Sequence, residues 1–266
     1  MPVKKLDYDR VARSFDRRYQ ASPQAGIQAA LRELVERLQP ARVLEAGCGT
    51  GHWWAGLRAT GRQLHGLDLS AGMLGQARAK TAQGAAGLNW VQGRAEALPY
   101  PAGVFDLVYC VNALHHFEQP QEFIAEVRRV LRAGGALAVI GMARPEEKSV
   151  WYLYQYFEGV FEMDRERYPS WGTVLDWMAA AGFQGAEWRQ AEHVSASMAG
   201  RAVFADPFLR YEATSQLTLL SPEEYNAGLE RMRRVVQTAE GEGREILFPV
   251  EIQIDLLAAW TAAGPD

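Results

Sequence analysis

Cysteine and long apolar runs are scarce in this sequence. Among 266 residues there are two cysteines, Cys48 and Cys110, which are too few for a disulfide framework and are typical of a reducing compartment. No segment approaches the roughly 18 uncharged apolar residues of a membrane span. Residues 1–10 carry charges without an apolar run, so we expect no signal peptide. These absences predict a cytoplasmic protein without a membrane span.

The chain also lacks an excess of basic residues. Its 28 lysines and arginines are outnumbered by 32 acidic residues, and the net charge is −4. A protein that holds nucleic acid usually carries a basic stripe, so we expect no nucleic-acid partner. The histidines lack metal-site spacing apart from the adjacent pair His115 and His116, which has poor chelating geometry. We therefore predict no metal site.

Hydrophobic residues make up 48% of the chain, which is enough for a large core, and they fall in short runs. The strands predicted from these runs are 42–46, 63–67, 88–91, 105–111 and 136–140. Helical patterns lie between them, and the helix before the last strand is expected to end at Gly134 and Gly135. Strands that alternate with helices predict a parallel, doubly wound sheet covered on both faces.

The pattern changes after Gly141. Residues 144–170 are rich in aromatics, residues 198–243 have a helical pattern, and further strands are expected at 186–194 and 246–257, with Pro249 at an edge or bulge. We predict a single α/β domain with a seven-stranded, mostly parallel, Rossmann-like sheet and a helical lid insertion. The expected core comprises 24–143, 171–195 and 245–262, and the expected lid comprises 1–23, 144–170 and 196–244.

One segment carries specific chemistry. Residues 45–51 read E-A-G-C-G-T-G, so a buried strand leads directly into a glycine-rich turn, after which a helix is expected. Glycines let the backbone approach a ligand at the carboxyl end of the first strand, where open α/β sheets bind their ligands. The third glycine comes one residue earlier than in the G-x-G-x-x-G turn of dinucleotide-binding enzymes. This spacing disfavours a nucleotide-cofactor oxidoreductase, which stays open as an alternative.

Segment 45–51 resembles motif I of the class I S-adenosylmethionine-dependent methyltransferases. Further matches follow in this family's order at 66–70 (GLDLS), 96–101 (EALPYP), 105–108 (FDLV), 112–117 (NALHHF) and 130–135 (VLRAGG). Within the family the set is similar to the type 11 group, which is menaquinone- and ubiquinone-biosynthesis-like. The resemblance covers residues 40–141.

The resemblance implies a binding site for S-adenosylmethionine, with S-adenosylhomocysteine as the product. The backbone from Gly47 through Cys48 and Gly49 to Gly51 is expected to cradle the methionine part of the cofactor. Glu45 is expected to hold the amino group of that part. A buried acid on a strand would be costly without a partner, and a ligand amine is the simplest one.

The ribose and adenine contacts follow in the same way. Asp68 is expected to accept hydrogen bonds from both ribose hydroxyls, although an acid near a helix start can also be only a cap. The other contacts that the resemblance implies are Leu69 and Met73 flanking the adenine, Ala95 and Glu96 closing its pocket, and Asn112 and Ala113 under the sulfonium. Relatives often have Asp or Asn where this chain has Arg94. Arginine cannot accept a hydrogen bond from the adenine amino group, so this family contact is not expected at Arg94.

Three groups of residues allow two interpretations each. His115 or His116 is a candidate general base; the alternative, which we favour, is that one packs and the other is exposed. Tyr8, Phe15 and Tyr19 either close over the cofactor or only pack, and the expected site includes Phe15 and Tyr19. The aromatic run 151–161 either fills the inside of the lid or lines an apolar acceptor pocket.

The predicted function is S-adenosylmethionine-dependent methyl transfer to a small-molecule acceptor. An oxygen, nitrogen or carbon of the acceptor attacks the methyl carbon in line, so the protein mainly aligns the reactants and excludes water. A non-catalytic module that only binds the cofactor is the other alternative, because an intact binding motif predicts binding and not turnover.

Overall fold

Five parallel strands form the centre of the fold. The computed structural model describes residues 6–57, 62–81 and 88–263, so residues 1–5 of the predicted lid lie outside the described part. The strands are β1 (Arg42–Ala46), β2 (Gln63–Asp68), β3 (Leu88–Gln92), β4 (Phe105–Val111) and β5 (Leu131–Gly141). They lie in the order β3–β2–β1–β4–β5. The winding reverses between β1 and β4, and such a switch point is where open α/β sheets bind ligands.

Antiparallel strands extend the sheet beyond β5. β8 (Leu247–Thr261) pairs with β5 along one edge and with β7 (Phe183–Ala199) along the other. A two-residue strand, β6 (Val150–Trp151), pairs with β8 further along the edge that β5 occupies. The mostly parallel α/β fold is confirmed, and β6 is an eighth strand that the sequence pattern does not predict.

β7 and β8 are longer than the strands predicted at 186–194 and 246–257. They pair with each other over their full length, with two irregularities in β7. Most side chains of β7 are exposed, so its sequence has no apolar pattern that would show its length. The length of β7 is set by main-chain hydrogen bonds to β8. Pro249 pairs with Ser197 beyond the residues of β8 that contact β5 and β6, which is the edge position expected for a proline.

Helices cover both faces of the sheet, as the alternation along β4 requires. Leu107 and Tyr109 pack in the cluster of α3 (Ala25–Leu38) on one face. Val108 and Cys110 pack in the cluster of α5 (Pro120–Val130) and α8 (Trp171–Ala180) on the other. These four side chains are at most 1% exposed. A strand that is buried on both faces is typical of a doubly wound sheet.

The helix before β5 ends earlier than predicted. α5 ends at Val130, and Leu131 is already extended and pairs with Phe105 of β4. Gly134, which was expected to cap the helix together with Gly135, has φ 71° and lies in an irregular part of β5. The prediction of a glycine cap was wrong because strand pairing at Leu131 takes over from the helix.

Several short helices and one of 20 residues form a layer over the carboxyl edge of the sheet. The short ones are α1 (Tyr8–Val11), α2 (Arg17–Ala21), α6 (Tyr152–Tyr156), α7 (Val160–Arg167) and α9 (Ser215–Thr218), and the long one is α10 (Pro222–Gly241). A further helix, α4 (Ala71–Thr81), follows β2. α10 begins with a capping box between Ser221 and Glu224. Among the described residues, no helix is both long and apolar enough to cross a membrane.

Candidate functional site

A cavity of about 1040 Å³ lies between the carboxyl ends of the parallel strands and the helical layer. The predicted site residues that line it are Phe15, Tyr19, Glu45, Gly47, Cys48, Gly49, Asp68, Leu69, Met73, Ala95, Glu96, Asn112, Ala113, His115 and His116. Gly51 does not line the cavity. Its φ is 72°, and a Cβ there would lie 2.5 Å from the Trp90 ring, so this glycine serves the turn itself.

The glycine turn is tied to the neighbouring strand. The amides of Gly47 and Cys48 both donate to the carbonyl of Leu67 in β2, at 2.8 and 3.0 Å. Gly47 has φ 70°, and a Cβ there would lie 2.6 Å from Cβ of Ala113. Only glycine meets both constraints, and the result is a bare backbone facing the cavity. The helix expected after the turn is a four-residue 3₁₀ helix, Trp53–Gly56, in the described part of the chain.

Asp68 connects the glycine turn to the start of α4. Its Oδ2 accepts from the Gly49 amide at 2.7 Å, and its Oδ1 accepts from the Ser70 amide at 2.9 Å. Burial raises the pKa of Asp68, while the hydrogen bonds from Ser70 and Gly49 act in the opposite direction. Each carboxylate oxygen has a second lone pair, so Asp68 can accept further bonds from a ligand's hydroxyls.

Glu45 is a buried acid with an unpartnered oxygen. The side chain is 1% exposed at the end of β1 and lines the cavity. Tyr109 donates its hydroxyl to Oε2 at 3.1 Å, whereas Oε1 has no partner. Burial raises the pKa of Glu45 well above its usual value, and the nearby side chains of Tyr109 and Trp54 lower it in part, although the Trp54 indole does not form a hydrogen bond of normal geometry. A buried oxygen that lacks a donor is costly, and a ligand's ammonium group would satisfy it.

The side of the cavity beyond Asp68 has an apolar floor and an ion-paired rim. Leu69 is 63% exposed beside it, while Met73 is buried. Glu96 accepts from the backbone amide of Glu118 at 2.6 Å, and Arg94 lies 2.5 Å from the Glu118 carboxylate and 3.6 Å from that of Glu96. Arg94 is therefore held by acids at this rim. An exposed leucine here suits a flat, apolar ring of a ligand.

The N-terminal segment closes over the glycine turn. Phe15 lies 3.9 Å from the position of a Cβ on Gly49, and the Tyr19 ring stacks on His52 with centroids 3.5 Å apart. Arg18 lies over the Phe15 ring at 3.7 Å and also lines the cavity. Aromatic contacts and a cation–π contact thus hold this segment against the turn.

Both predicted histidines reach the cavity on a 3₁₀ turn, Leu114–His116, that follows β4. Asn112 has φ 50°, a left-handed conformation that asparagine tolerates, and it redirects the chain into this turn. His116 Nε2 lies 2.6 Å from the Tyr8 hydroxyl. The His115 ring stacks on Tyr168, with centroids 3.9 Å apart. Neither histidine is exposed, so the interpretation that we favoured for this pair was wrong on that point.

Burial and positive neighbours keep both rings neutral. Burial, with Arg167 and Arg18, lowers the pKa of His116 to about 3. Burial, with His116 and Arg167, lowers the pKa of His115 well below its usual value. A neutral imidazole has one acceptor nitrogen, so the turn can take part in hydrogen bonds to a hydroxyl without carrying charge.

The aromatic run 151–161 divides between the two interpretations. Tyr152, Leu153 and Phe157 are buried in an apolar cluster that the helical layer forms with β8. Trp151 belongs to this cluster and also lines the cavity. Most of the run is therefore internal packing, and its first residue reaches the site.

Sequence reasoning missed several residues of the site. Arg18, Arg167 and Tyr168 line the cavity without belonging to any motif. They come from segments far from residues 45–113 in the chain, and the topology alone brings them there. The sequence offered one signal for two of them, because Arg167 and Tyr168 are adjacent near the end of the aromatic-rich segment 144–170.

Comparisons with known proteins agree with this geometry. Residues 44–139 match the family model described as a methyltransferase domain. An uncharacterized methyltransferase of Synechocystis is 38% identical over 125 residues, which are 46% of this chain and 57% of that protein. The 2-methyl-6-phytyl-1,4-hydroquinone methyltransferase 1 of Oryza sativa subsp. japonica is 31% identical over 145 residues, 54% of this chain and 41% of that protein.

The fold also matches solved structures. The YcgJ protein of Bacillus subtilis has a TM-score of 0.59 at 18% identity, with 90% of this chain and 99% of that chain covered. The chain spans about half the length of the curated relatives it matches, 57% and 41%. Residues 44–139 therefore belong to the class I S-adenosylmethionine-dependent methyltransferases, in the type 11 group.

Proposed function

We propose that this chain transfers a methyl group from S-adenosylmethionine to a small-molecule acceptor. The observation that carries the proposal is the unpartnered Oε1 of Glu45, which is buried in a cavity wall next to a bare glycine turn and Asp68. A ligand with an ammonium group, a methionine part and a ribose would satisfy these three features together.

The cofactor supplies an electrophilic methyl group on a sulfonium. Glu45 would hold its ammonium group, the backbone of Gly47 to Gly49 would cradle its methionine part, and Asp68 would accept from its ribose hydroxyls. Arg18 lines the same cavity and would pair with its carboxylate. Leu69, Met73, Ala95 and Glu96 would enclose the adenine. Two carboxylates facing one end of the cavity also favour the positive charge of a sulfonium ligand.

The acceptor would enter where the helical layer covers the cavity. We propose that the domain extends over the whole chain and that residues 6–23, 144–170 and 196–244 form its lid. Asn112 and Ala113 would lie under the transferred methyl group. The walls exclude water and align the acceptor, which is most of what an in-line transfer from a good leaving group requires.

His116 is the better placed of the two candidate bases. Its Nε2 is within hydrogen-bonding distance of the Tyr8 hydroxyl, whereas the His115 ring is stacked on Tyr168. A neutral His116 can accept a hydrogen bond from an acceptor hydroxyl, directly or through Tyr8, but its pKa of about 3 makes it a weak proton acceptor. We propose that His116 orients the acceptor's nucleophile and that His115 positions the turn.

Calorimetric titration with S-adenosylhomocysteine tests the proposal, with NAD as a parallel ligand. We expect the wild-type protein to bind S-adenosylhomocysteine and not NAD, and Asp68→Ala to lose at least about tenfold in affinity. Binding of NAD alone would support an oxidoreductase. Binding of S-adenosylhomocysteine without any turnover of S-adenosylmethionine across acceptor panels would support a non-catalytic module.

A further inference from the structure

The cavity continues past the proposed cofactor contacts toward the helical layer. Apolar side chains on β6 and β8 line this far end, among them Trp151, Val250 and Ile252. Polar side chains on α7 and α9 face it as well, including Arg167 and Ser215. We call this part of the cavity the acceptor end. Its walls combine an apolar surface with a small number of polar groups, as small-molecule sites usually do.

Arg167 is a buried cation at the acceptor end. It is the last residue of α7, and its side chain is 3% exposed. One guanidinium nitrogen donates to Ser215 Oγ at 2.9 Å, and another lies 3.5 Å from Asp164 Oδ1. A guanidinium carries five N–H donors, so these two contacts use a minority of its capacity. The rest can serve a ligand in the cavity.

Asp164 balances the charge of Arg167 only loosely. The carboxylate is fully buried, and its Oδ2 accepts from the Tyr154 hydroxyl at 3.0 Å and from Gln216 Nε2 at 2.8 Å. The 3.5 Å contact with Arg167 is longer than the roughly 2.7–2.9 Å of a strong charged hydrogen bond. Burial also raises the pKa of Asp164, which disfavours its charged form.

Arg18 on α2 lines the same cavity, but the carboxylate of the proposed cofactor would pair with it. The charge of Arg167 on α7 acts on the cavity wall, where it lowers the pKa of His116. Arg167 therefore stays available for an anionic group of the acceptor, whereas the cofactor end, with Glu45 and Asp68, favours a cation.

Among the described residues, the other acids that line the acceptor end form no ion pair with Arg167. Glu166 and Glu212 are exposed, and Glu212 accepts a hydrogen bond from Ser14 at 3.2 Å. Asp206 accepts from the Tyr152 hydroxyl at 2.7 Å and from the Phe208 amide at 2.9 Å. Exposed charges are screened by water, whereas the Arg167 charge is not.

We infer that the methyl acceptor is an apolar acid whose carboxylate binds the guanidinium of Arg167, with its apolar body against Trp151 and β8. The inference rests on the proposed function, because it assigns the acceptor end of the same cavity. A guanidinium and a carboxylate form two parallel hydrogen bonds in one plane, so this contact selects an acid over its amide.

The test compares acids with their amides on protein saturated with S-adenosylhomocysteine. The probes are octanoate with octanamide and benzoate with benzamide. Titration calorimetry is expected to show at least one acid binding about tenfold or more tightly than its amide. Arg167→Met is expected to abolish this preference and to leave the affinity for S-adenosylhomocysteine unchanged. Arg167→Lys keeps the charge without the planar fork and is expected to restore the preference in part.

Two further variants control for misfolding and for a general effect of losing an arginine. Arg167→Met alone leaves Asp164 buried without its cation, so a double variant with Asp164→Asn removes both charges together and keeps the test valid if the single variant does not fold. Arg233→Met, at an exposed ion pair of α10, is the matched control and is expected to keep the acid preference.

The inference is overturned if each acid binds no more tightly than its amide, if neither acid binds, or if the double variant keeps the preference. A loss of S-adenosylhomocysteine affinity in the Arg167 variants alone would assign Arg167 to the cofactor and also overturn it. Failure of the wild-type protein to bind S-adenosylhomocysteine would contradict the proposed function, and the acid–amide comparison on the free protein would still decide the inference.

Discussion

The hydroxyl of Thr50 on the glycine turn donates to the carboxylate of Asp16 on the N-terminal segment at 2.5 Å. Lys80 of α4 forms an ion pair with the same carboxylate and donates to the Thr50 carbonyl at 2.9 Å. These contacts join the segment that covers the cavity to the turn that forms its floor. The motif region and the N-terminal helices thus act on the site as one unit.

Breaking this contact is expected to speed cofactor release. Thr50→Val removes the hydroxyl that holds Asp16, and a hydrogen bond to a charged group contributes about 1.5–3 kcal/mol. We expect the dissociation rate of S-adenosylhomocysteine in stopped-flow experiments to rise about tenfold, with little change in the association rate. Thr238→Val, at an exposed position of α10, is the control. Unchanged release would show that the segment is held in another way.

Replacing the acid Glu45 by its amide is expected to change stability and binding in opposite directions. Glu45→Gln keeps the shape and can still accept from Tyr109, but it removes an acid whose charged form burial disfavours and whose Oε1 is unpartnered. We expect the free energy of unfolding of the free protein to rise by about 1 kcal/mol. The affinity for S-adenosylhomocysteine is expected to fall about tenfold or more.

Chemical denaturation and calorimetry measure the two effects of Glu45→Gln. Glu240→Gln removes an exposed acid that pairs with Arg201, and it is expected to change neither quantity appreciably. A lower stability of Glu45→Gln together with wild-type affinity would contradict a ligand-binding role for Glu45.

A comparison of Gly51 with Gly103 distinguishes the cost of backbone strain from the cost of a steric clash with Trp90. Gly51 and Gly103 have similar positive φ angles, 72° and 70°, but a Cβ on Gly51 would lie 2.5 Å from the Trp90 ring, while a Cβ on Gly103 would meet no atom within 4 Å. Gly103→Ala is expected to cost about 1–2 kcal/mol in unfolding free energy from the left-handed backbone alone. Gly51→Ala is expected to cost more, because Trp90 must move. Equal costs in urea denaturation would refute the contact.

The pKa of His116 predicts a pH dependence of stability. The folded state excludes a proton down to about pH 3, whereas an unfolded histidine takes it up near 6.5. Between these values the unfolded state binds more protons, so this group lowers stability as the pH falls, by at most about 1.4 kcal/mol per pH unit. His116→Gln removes this contribution. The variant is therefore expected to gain stability relative to the wild type on going from pH 7 to pH 4.

The raised pKa values of Glu45, Asp68 and Asp164 act in the opposite direction, because these folded carboxyls bind protons more readily than unfolded ones. They are present in both proteins and cancel in the difference between wild type and His116→Gln. A difference that stays constant from pH 7 to pH 4 would mean that His116 is solvated and titrates normally.

The cofactor end of the site is predictable because its residues follow the ends of strands. Glu45 is the last but one residue of β1, Asp68 is the last residue of β2, and Asn112 directly follows β4. A parallel sheet brings these strand ends together at one edge. Local spacing along the chain therefore implies proximity in space. Gly51 shows the limit of this reasoning, because a motif glycine can serve the packing of Trp90 and not the ligand.

The rest of the cavity is not predictable in the same way. Tyr8 and His116 are 108 residues apart in sequence, and no spacing rule relates them. Arg167 is one of several arginines on short helices, and only the packing of α7 against α9 distinguishes it by burying its side chain. The exposed β7 likewise lacks the apolar pattern that would have revealed its full length.

A crystal structure of the protein with S-adenosylhomocysteine bound would test the proposed cofactor site most directly. We predict that the ligand's ammonium group lies within hydrogen-bonding distance of Glu45 Oε1, that its ribose hydroxyls donate to Asp68, and that its sulfur lies above Asn112 and Ala113. A ligand elsewhere in the cavity, with Glu45 Oε1 still unpartnered, would show that this buried acid does not mark the cofactor site.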